Sequence, residues 1–207
     1  MSTMARGTVY GTLLNFRGEL EALGDQVNEA PYKAPPNAPV LYVKPANTWS
    51  EHGAAIPVPA DAGELEVGAT VAMVMKSPTE ILGYVLMNDV RIPHESFYRP
   101  PVKFNARDGF LGIGDRVRAR NEAGDPAVFK LEVRVNGELE QTVRFSQLLR
   151  PAEKLLAEVS EFMTLGAGDM LMLGVDVGRP RVRAGDRVDI SMPALGTLTN
   201  TFVAEAA

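Results

Sequence analysis

The chain has 207 residues, of which 45% are hydrophobic and 23% charged, a composition typical of one globular domain with a sizeable core. The net charge of -5, with Lys and Arg scattered, argues against nucleic acid as a partner, and the absence of Cys excludes disulfides and thiolate chemistry. No apolar run approaches the roughly eighteen residues of a membrane span, and no signal-type segment opens the chain. We therefore expect a cytoplasmic protein without a membrane partner.

The first half of the chain is predicted to contain one short helix among strands. The helix is expected at Arg17–Leu23, and the strands at Thr8–Leu14, Val40–Val43, Val67–Met75 and Gly83–Met87. Because Pro45 interrupts the ladder of the second strand, Lys44 is expected at a strand end, where functional sites often form.

The second half carries a clearer pattern. Phe129–Asn136 alternates apolar and polar residues, Asn136-Gly137 is a type I′ turn signal, and Glu138–Phe145 returns, which predicts a β-hairpin. Pro151–Phe162 then has helical periodicity. The whole pattern indicates a β-rich α+β domain over residues 1–207, with residues 1–50 forming a strand and helix segment that packs on the rest.

Candidate site residues cluster after the strand that ends at Asn88-Asp89. His94, Glu95 and the pair Arg107-Asp108 follow within twenty residues. Such a cluster of titratable groups is enriched in functional sites, although Arg107 and Asp108 could equally form an ion pair within one loop. The glycines of Gly109–Gly114 do not have the spacing of a dinucleotide loop, and no nucleophile elbow occurs.

Several strings resemble, in this order, the fumarylacetoacetate hydrolase family. They are Lys44-Pro45-x-Asn47-Thr48, Gly83-Tyr84 leading to Asn88-Asp89, Phe97-Tyr98-Arg99-Pro100, Arg107-Asp108-Gly109, Ser160–Leu165, Gly168-Asp169 and Ala184-Gly185-Asp186. Within that family the chain is most similar to isomerases/decarboxylases of bacterial aromatic catabolism, in particular to the N-terminal half of their fused two-repeat form.

The resemblance implies a rolled mixed β-sheet with few helices and a Mg²⁺ or Mn²⁺ site built from two glutamates and an aspartate. It implies a small substrate, either a 2-oxo acid or a dienol with two or three carboxylates, that is decarboxylated and then isomerised. The metal would stabilise the enolate while a base and an acid move the proton. A homologous second subunit, or a second copy in a dimer, is the implied protein partner.

Only some of the functional residues that the resemblance implies are present at the matching positions of this chain. Asp89 matches the metal-binding aspartate, while the two glutamates fall on Gly68 and Thr70, so the ligand set is incomplete. Glu64 and Glu66 have the spacing of a ligand pair on one strand face but lie four residues too early. They stay open as alternative ligands, and solvated carboxylates are the other interpretation.

The remaining assignments also rest on the resemblance. Lys44, Lys103 and Arg107 would bind substrate carboxylates, with Lys103 standing in for a lysine that is Asn105 here. The proton-transfer candidates are His94, Glu95 and Asp108. A helix that carries a His/Glu pair in the family has Glu19 and Ala22 instead.

Three functions follow as hypotheses. The chain is either an isomerase/decarboxylase subunit with a degenerate metal site or a structural partner of a metal-competent homologous subunit. An acylpyruvate-type hydrolase is the third hypothesis, and the loss of the His/Glu pair argues against it.

Overall fold

The computed structural model describes residues 7–30, 33–94 and 102–205. The strands are β1 Val9–Leu13, β2 Val40–Lys44, β3 Trp49–Glu51, β4 Ala55–Val58, β5 Leu65–Glu66, β6 Ala69–Ser77, β7 Glu80–Asp89, β8 Leu111–Ile113, β9 Arg118–Ala119, β10 Lys130–Val135, β11 Glu138–Arg144, β12 Met170–Met172, β13 Arg181–Val182, β14 Arg187–Met192 and β15 Gly196–Ala204. The helices are α1 Arg17–Leu23, α2 Val102–Asn105, α3 Arg120–Ala123 and α4 Ala152–Ser160, and short 3-10 turns lie at Gly24–Asn28, Ala46–Thr48, Pro126–Val128 and Phe145–Gln147.

Two mixed sheets form the body of the fold. An eight-stranded sheet has the order β2-β1-β12-β6-β7-β8-β3, with β9 paired to β7, and a five-stranded sheet has the order β11-β10-β14-β15-β4. Most pairs are antiparallel, but β1 with β12, β3 with β8 and β4 with β15 are parallel. A two-stranded ladder joins β5 and β13. The expected β-rich mixed fold with few helices is confirmed.

Strand β6 shows that the eight-stranded sheet is covered on both of its faces. Its apolar run is buried on both faces, since Val71 and Met73 pack with the five-stranded sheet and α4 while Ala72 and Val74 pack in a second cluster. Alternate residues of a strand point to opposite faces. A run without polar interruption is typical of a strand covered on both sides.

The eight-stranded sheet is rolled. Its two edge strands, β2 and β3, are joined in sequence by the short turn Ala46–Thr48. Strands β2 and β7 are four steps apart in the sheet order, about 19 Å in a flat sheet, yet the Lys44 ammonium at the end of β2 lies 2.8 Å from the Asp89 carboxylate at the end of β7. The sheet must curl to bring these two strand ends together.

Most elements predicted from the sequence are present. The hairpin turn has φ of 52° at Asn136 and 90° at Gly137, as a type I′ turn requires. Helix α1 has the predicted bounds, and α4 is one residue shorter at its start and two shorter at its end. The region after Asp115, expected as a strand, forms only the two-residue β9 before α3 begins. No helix within the described ranges is both long and apolar enough to cross a membrane.

The start of β6 also differs from the prediction, for a steric reason. Gly68 lies outside the strand because its backbone packs against the end of β7, where the Asp89 amide donates to the Gly68 carbonyl at 2.8 Å. A Cβ placed on Gly68 would lie 2.2 Å from the Asp89 carbonyl oxygen. Any side chain at position 68 forces the two backbones apart.

We expect Gly68→Ala to lower the free energy of unfolding by about 1 to 3 kcal/mol, since overpacking against backbone cannot be relieved by a rotamer change. Urea denaturation measures the loss. Gly166→Ala is the matched control, because its added Cβ would meet nothing closer than 3.6 Å. Equal losses in the two variants would contradict the steric account.

Candidate functional site

The centre of the candidate site is a buried ion pair between Lys44 and Asp89. The Lys44 Nζ lies 2.8 Å from Asp89 Oδ1, and the two side chains are 0% and 5% exposed. Lys44 is the last residue of β2 and Asp89 the last of β7, so each side chain reaches inward from a strand end. The expectation that Lys44 stands at a strand end is confirmed.

The Lys44 ammonium is fully coordinated by the protein. It donates to the carbonyl oxygens of Val90 at 2.9 Å, Asn105 at 2.6 Å and Phe110 at 2.9 Å, in addition to the contact with Asp89. An ammonium has three hydrogens, and four oxygens surround this one. Lys44 therefore does not present its charge to a substrate carboxylate, contrary to the role that the resemblance implied.

Tyr42 engages the second oxygen of Asp89. Its hydroxyl donates to Asp89 Oδ2, and its ring covers Gly11 so closely that an added Cβ there would lie 2.0 Å from a ring carbon. Burial alone would raise the pKa of Asp89, but Lys44, Arg179 and Tyr42 together hold it below its usual value. Oδ2 thus accepts a hydrogen bond from Tyr42, whereas Oδ1 is paired with the Lys44 charge and, among the described residues, accepts no hydrogen bond.

The pKa values of the two donors shift in the directions that burial dictates. Burial lowers the pKa of Lys44 against the opposing attraction of Asp89. Burial, and then the charge of Asp89, raise the pKa of Tyr42 well above its usual value. Tyr42 is therefore protonated at neutral pH and serves as a hydrogen-bond donor.

A small cavity opens beside this ion pair. It has room of about 10 Å³, enough for one water molecule. It is lined by Leu13, Tyr42, Asp89, Arg91, His94, Asn105 and Arg179. Three cationic or imidazole side chains thus face one carboxylate, which favours anions over cations in the remaining space.

His94 is one of the predicted catalytic residues that the structure brings to this cavity. Its ring stacks on Phe104 with the centroids 5.5 Å apart, and its Nδ1 lies 2.9 Å from the Ile92 carbonyl oxygen. Burial lowers the pKa of His94, so the imidazole is neutral at pH 7. If Nδ1 carries the proton toward the carbonyl, Nε2 is left as an acceptor.

The remaining site residues predicted from the sequence do not line the cavity or fall outside the described ranges. Arg107 donates to both carboxylate oxygens of Asp61 at 2.9 Å, and Lys103 lies 3.7 Å from the same carboxylate, which is 55% exposed. Asp108 is exposed and accepts a hydrogen bond from Asn47 at 2.7 Å. None of these three lines the cavity. Glu95 and the predicted motif at 97–100 fall outside the described residues.

Glu64 and Glu66, the alternative metal ligands, both form ion pairs with arginines. Glu64 forms ion pairs with Arg181 and Arg183, and Glu66 lies 2.7 Å from Arg91 Nε. Neither carboxylate joins Asp89 in a common cluster, since within the described residues no group of three His, Asp or Glu side chains is arranged to hold a metal ion.

Gly68 and Thr70, where the resemblance placed the two glutamates, supply no anionic donor. The Thr70 hydroxyl donates to the Gly174 carbonyl and so ties two segments of the chain together. The donor set around Asp89 therefore does not fit a divalent cation, which needs several oxygen ligands that are not already engaged.

Two residues at the site were not identified from the sequence. Glu19 on α1 is buried, and burial raises its pKa to about 7, against the opposing charge of Arg179. Arg179 lies in the segment between β12 and β13 and lines the cavity. The only sequence signal was the substitution at position 19 in the helix that the family resemblance singled out.

Comparisons with known proteins show the family of the chain. The family model described as "Fumarylacetoacetate (FAA) hydrolase C-terminal" matches residues 8–203. The 4-hydroxyphenylacetate degradation bifunctional isomerase/decarboxylase of Escherichia coli is 37% identical over 97% of this chain and 48% of its own length. The chain thus spans about half the length of the curated relatives it matches.

Solved structures show the same fold. A 5-carboxymethyl-2-hydroxymuconate delta-isomerase from Mycobacterium smegmatis superposes with a TM-score of 0.81 and 27% identity, covering 99% of this chain and 81% of that one. A fumarylpyruvate hydrolase from Pseudomonas aeruginosa, solved with Mn²⁺ and pyruvate, has a TM-score of 0.79 at 20% identity, covering 97% and 91%.

We expect Lys44→Met to lower the free energy of unfolding by about 3 to 5 kcal/mol, because it leaves the Asp89 carboxylate buried without its cation. Chemical denaturation measures this loss. Lys76→Met is the matched control, since Lys76 pairs with Glu80 on the surface with both side chains more than half exposed, and it should change stability little. Similar losses in both variants would contradict the importance of the buried pair.

Glu19→Gln is expected to change how stability depends on pH. The pKa of Glu19 is raised from 4.5 to about 7 on folding, so between these values the folded state holds a proton that the unfolded chain releases. Stability is therefore lost as pH rises through this window, by on the order of 3 kcal/mol in full. The glutamine variant should lack this contribution.

Denaturation at pH 5, 6.5 and 8 tests this difference. Relative to the wild type, Glu19→Gln should gain stability as pH rises, whereas Glu21→Gln, exposed on the same helix, should not. A constant difference between Glu19→Gln and the wild type at all three pH values would show that Glu19 does not titrate in this window.

Proposed function

Because the chain belongs to the fumarylacetoacetate hydrolase family, we propose that it is a subunit of an isomerase/decarboxylase of 4-hydroxyphenylacetate catabolism. The substrates would be the dienol and tricarboxylate intermediates of a 2-hydroxyhepta-2,4-diene-1,7-dioate isomerase and a 5-oxopent-3-ene-1,2,5-tricarboxylate decarboxylase. The 37% identity to the Escherichia coli enzyme over 97% of the chain supports this assignment.

The observation that carries the rest of the proposal is the occupation of Asp89 by Lys44 and Tyr42. In this chain the metal site is degenerate, because the one acidic residue that matches the ligand set already has both oxygens engaged. Without a divalent cation, an enolate loses several kcal/mol of stabilisation, which corresponds to several powers of ten in rate. Decarboxylation is therefore assigned to a homologous, metal-competent subunit that pairs with this chain.

The isomerisation step places different demands on the protein. Moving a proton between two carbons of a dienol requires a base beside the substrate and a group that holds its carboxylates. His94 is suited to the first role, because its pKa is lowered by burial and it lines the cavity with Arg91 and Arg179. In this form of the proposal the chain isomerises and its partner decarboxylates.

A second candidate function is a non-catalytic structural partner. The size of the cavity favours it, since about 10 Å³ is far below the several hundred Å³ of a usual ligand site. In that case the chain would contribute its surface to the paired subunit and His94 would have no chemical role.

The test combines assays of the chain alone and of the chain mixed with a metal-competent homologous subunit. We expect no metal and no carbon dioxide release from the chain alone, and co-elution of the pair on size exclusion. Stoichiometric metal and full decarboxylation by the isolated chain would contradict the proposal.

His94→Gln separates the two candidate functions. If the chain isomerises, this variant should lose about 10² to 10⁴ in the rate of double-bond migration with the partner's decarboxylation unchanged. An unchanged isomerisation rate would assign the chain the structural role. His52→Gln, in an exposed turn, is the matched control.

A further inference from the structure

Arg179 carries a buried charge that the described residues do not satisfy. Its Nη1 is buried and has no hydrogen-bond partner in the described part of the chain. Burial, and then the charge of Arg91, lower its pKa, but a guanidinium stays protonated in proteins. A buried cation with an unmet donor is costly unless an anion or water completes it.

The acidic groups around Arg179 leave this charge largely uncompensated. The Asp89 carboxylate is engaged by Lys44 and Tyr42, and Glu66 lies 2.7 Å from Arg91. Among the described residues Glu19 is the remaining acid, and with a pKa of about 7 it is only partly charged at neutral pH. The cavity beside Arg179 is thus net positive.

Glu19, an acidic residue, also has a buried polar atom without a hydrogen-bond partner among the described residues. Within the described ranges its Oε1 is buried without a hydrogen-bond partner, and its Oε2 lies 3.5 Å from the Phe16 amide. The charged groups that act on it from the neighbouring segments are Arg179 and Arg91, and its own charge acts on Tyr42. Glu19 and Arg179 thus have opposite charges that interact, and each has a buried polar atom without a partner among the described residues.

We propose that Arg179 binds one carboxylate of a small organic acid and that Glu19 takes up a proton when this acid binds. The class of ligand rests on the proposed function, whereas the coupling between the two residues rests on their unpartnered buried atoms and on the electrostatic interaction between their charges. Because the cavity has room of about 10 Å³, no more than the carboxylate end can approach Arg179, and the rest of the acid lies outside the cavity.

The sign of the coupling follows from electrostatics. Arg179 opposes the rise in the pKa of Glu19, so a ligand carboxylate that neutralises Arg179 removes this opposition and adds a second negative charge. The pKa of Glu19 must rise on binding, and a proton is taken up from solvent. Uptake should be large between about pH 7 and 8 and vanish near pH 5, where Glu19 is already protonated.

Titration calorimetry with glutarate tests the proposal, with the neutral diamide glutaramide as the probe control. Measurements in buffers of different ionisation enthalpy give the number of protons taken up at each pH. We expect glutarate to bind with proton uptake at pH 7.5 and without it at pH 5, and glutaramide not to bind. Absence of glutarate binding at tens of millimolar would overturn the proposal, leaving Arg179 completed by water.

Variants assign the two roles. Arg179→Gln should weaken glutarate binding at least tenfold, and Arg179→Lys, which keeps the charge, should weaken it less. Glu19→Gln should bind glutarate without proton uptake. Arg183→Gln, which removes an exposed arginine paired with Glu64, should behave as the wild type. Wild-type affinity in Arg179→Gln, or unchanged proton uptake in Glu19→Gln, would contradict the assignment.

The outcomes remain interpretable if a variant does not fold or if the proposed function fails. If Arg179→Gln does not fold, the variants Arg179→Lys and Glu19→Gln test the proposal instead. It is overturned if both variants bind glutarate with the affinity and the proton uptake of the wild type. If the enzymatic assays fail while glutarate binds with proton uptake, only the proposed function is refuted. If the assays succeed but glutarate does not bind, only the inference about Arg179 and Glu19 is refuted.

Discussion

The contact between the Lys44 ammonium and the Asp89 carboxylate is the interaction on which the rest of this structure depends. It joins the ends of β2 and β7, two strands that a flat sheet would hold far apart, and it is sealed from solvent. A buried pair of this kind adds little net stability compared with apolar residues, but either charge left alone is strongly destabilising. The pair therefore fixes the curl of the sheet more than it raises overall stability.

The same contact sets the electrostatics of the neighbouring cavity. Once Asp89 is neutralised by Lys44 and hydrogen-bonded by Tyr42, the partly protonated Glu19 is the acid among the described residues that remains to balance Arg179. A site that would attract a cation if Asp89 were free instead attracts an anion. The proposed degeneracy of the metal site and the proposed binding of carboxylates therefore have one origin, the internal ammonium of Lys44.

Local sequence patterns were sufficient to predict much of the fold. The hairpin around Asn136-Gly137 and the helix α1 depend on turn chemistry and periodicity within a few residues, and both are present. The order of the family strings indicated the mixed, rolled sheet, and the Fumarylacetoacetate (FAA) hydrolase match over residues 8–203 agrees with it. Boundaries were less accurate where a distant backbone intervenes, as at Gly68.

The site could be predicted only in part. Lys44 was expected at a strand end and His94 close to Asp89 in sequence, and in the structure Lys44 pairs with Asp89 while His94 and Asp89 line one cavity. Glu19 and Arg179 were not predictable as members of the site, since they are 160 residues apart in sequence. Their pKa values are shifted by burial, which the sequence does not reveal. Sequence spacing also could not reveal that the three surface residues Lys103, Arg107 and Asp108 turn away from the cavity.

Anomalous diffraction from crystals of the isolated chain soaked in Mn²⁺ tests the central claim most directly. The occupation of Asp89 by Lys44 and Tyr42 predicts no manganese peak at that carboxylate, with the Lys44 ammonium in its place. A manganese ion bonded to Asp89, with Lys44 displaced and further carboxylates turned inward, would contradict the account.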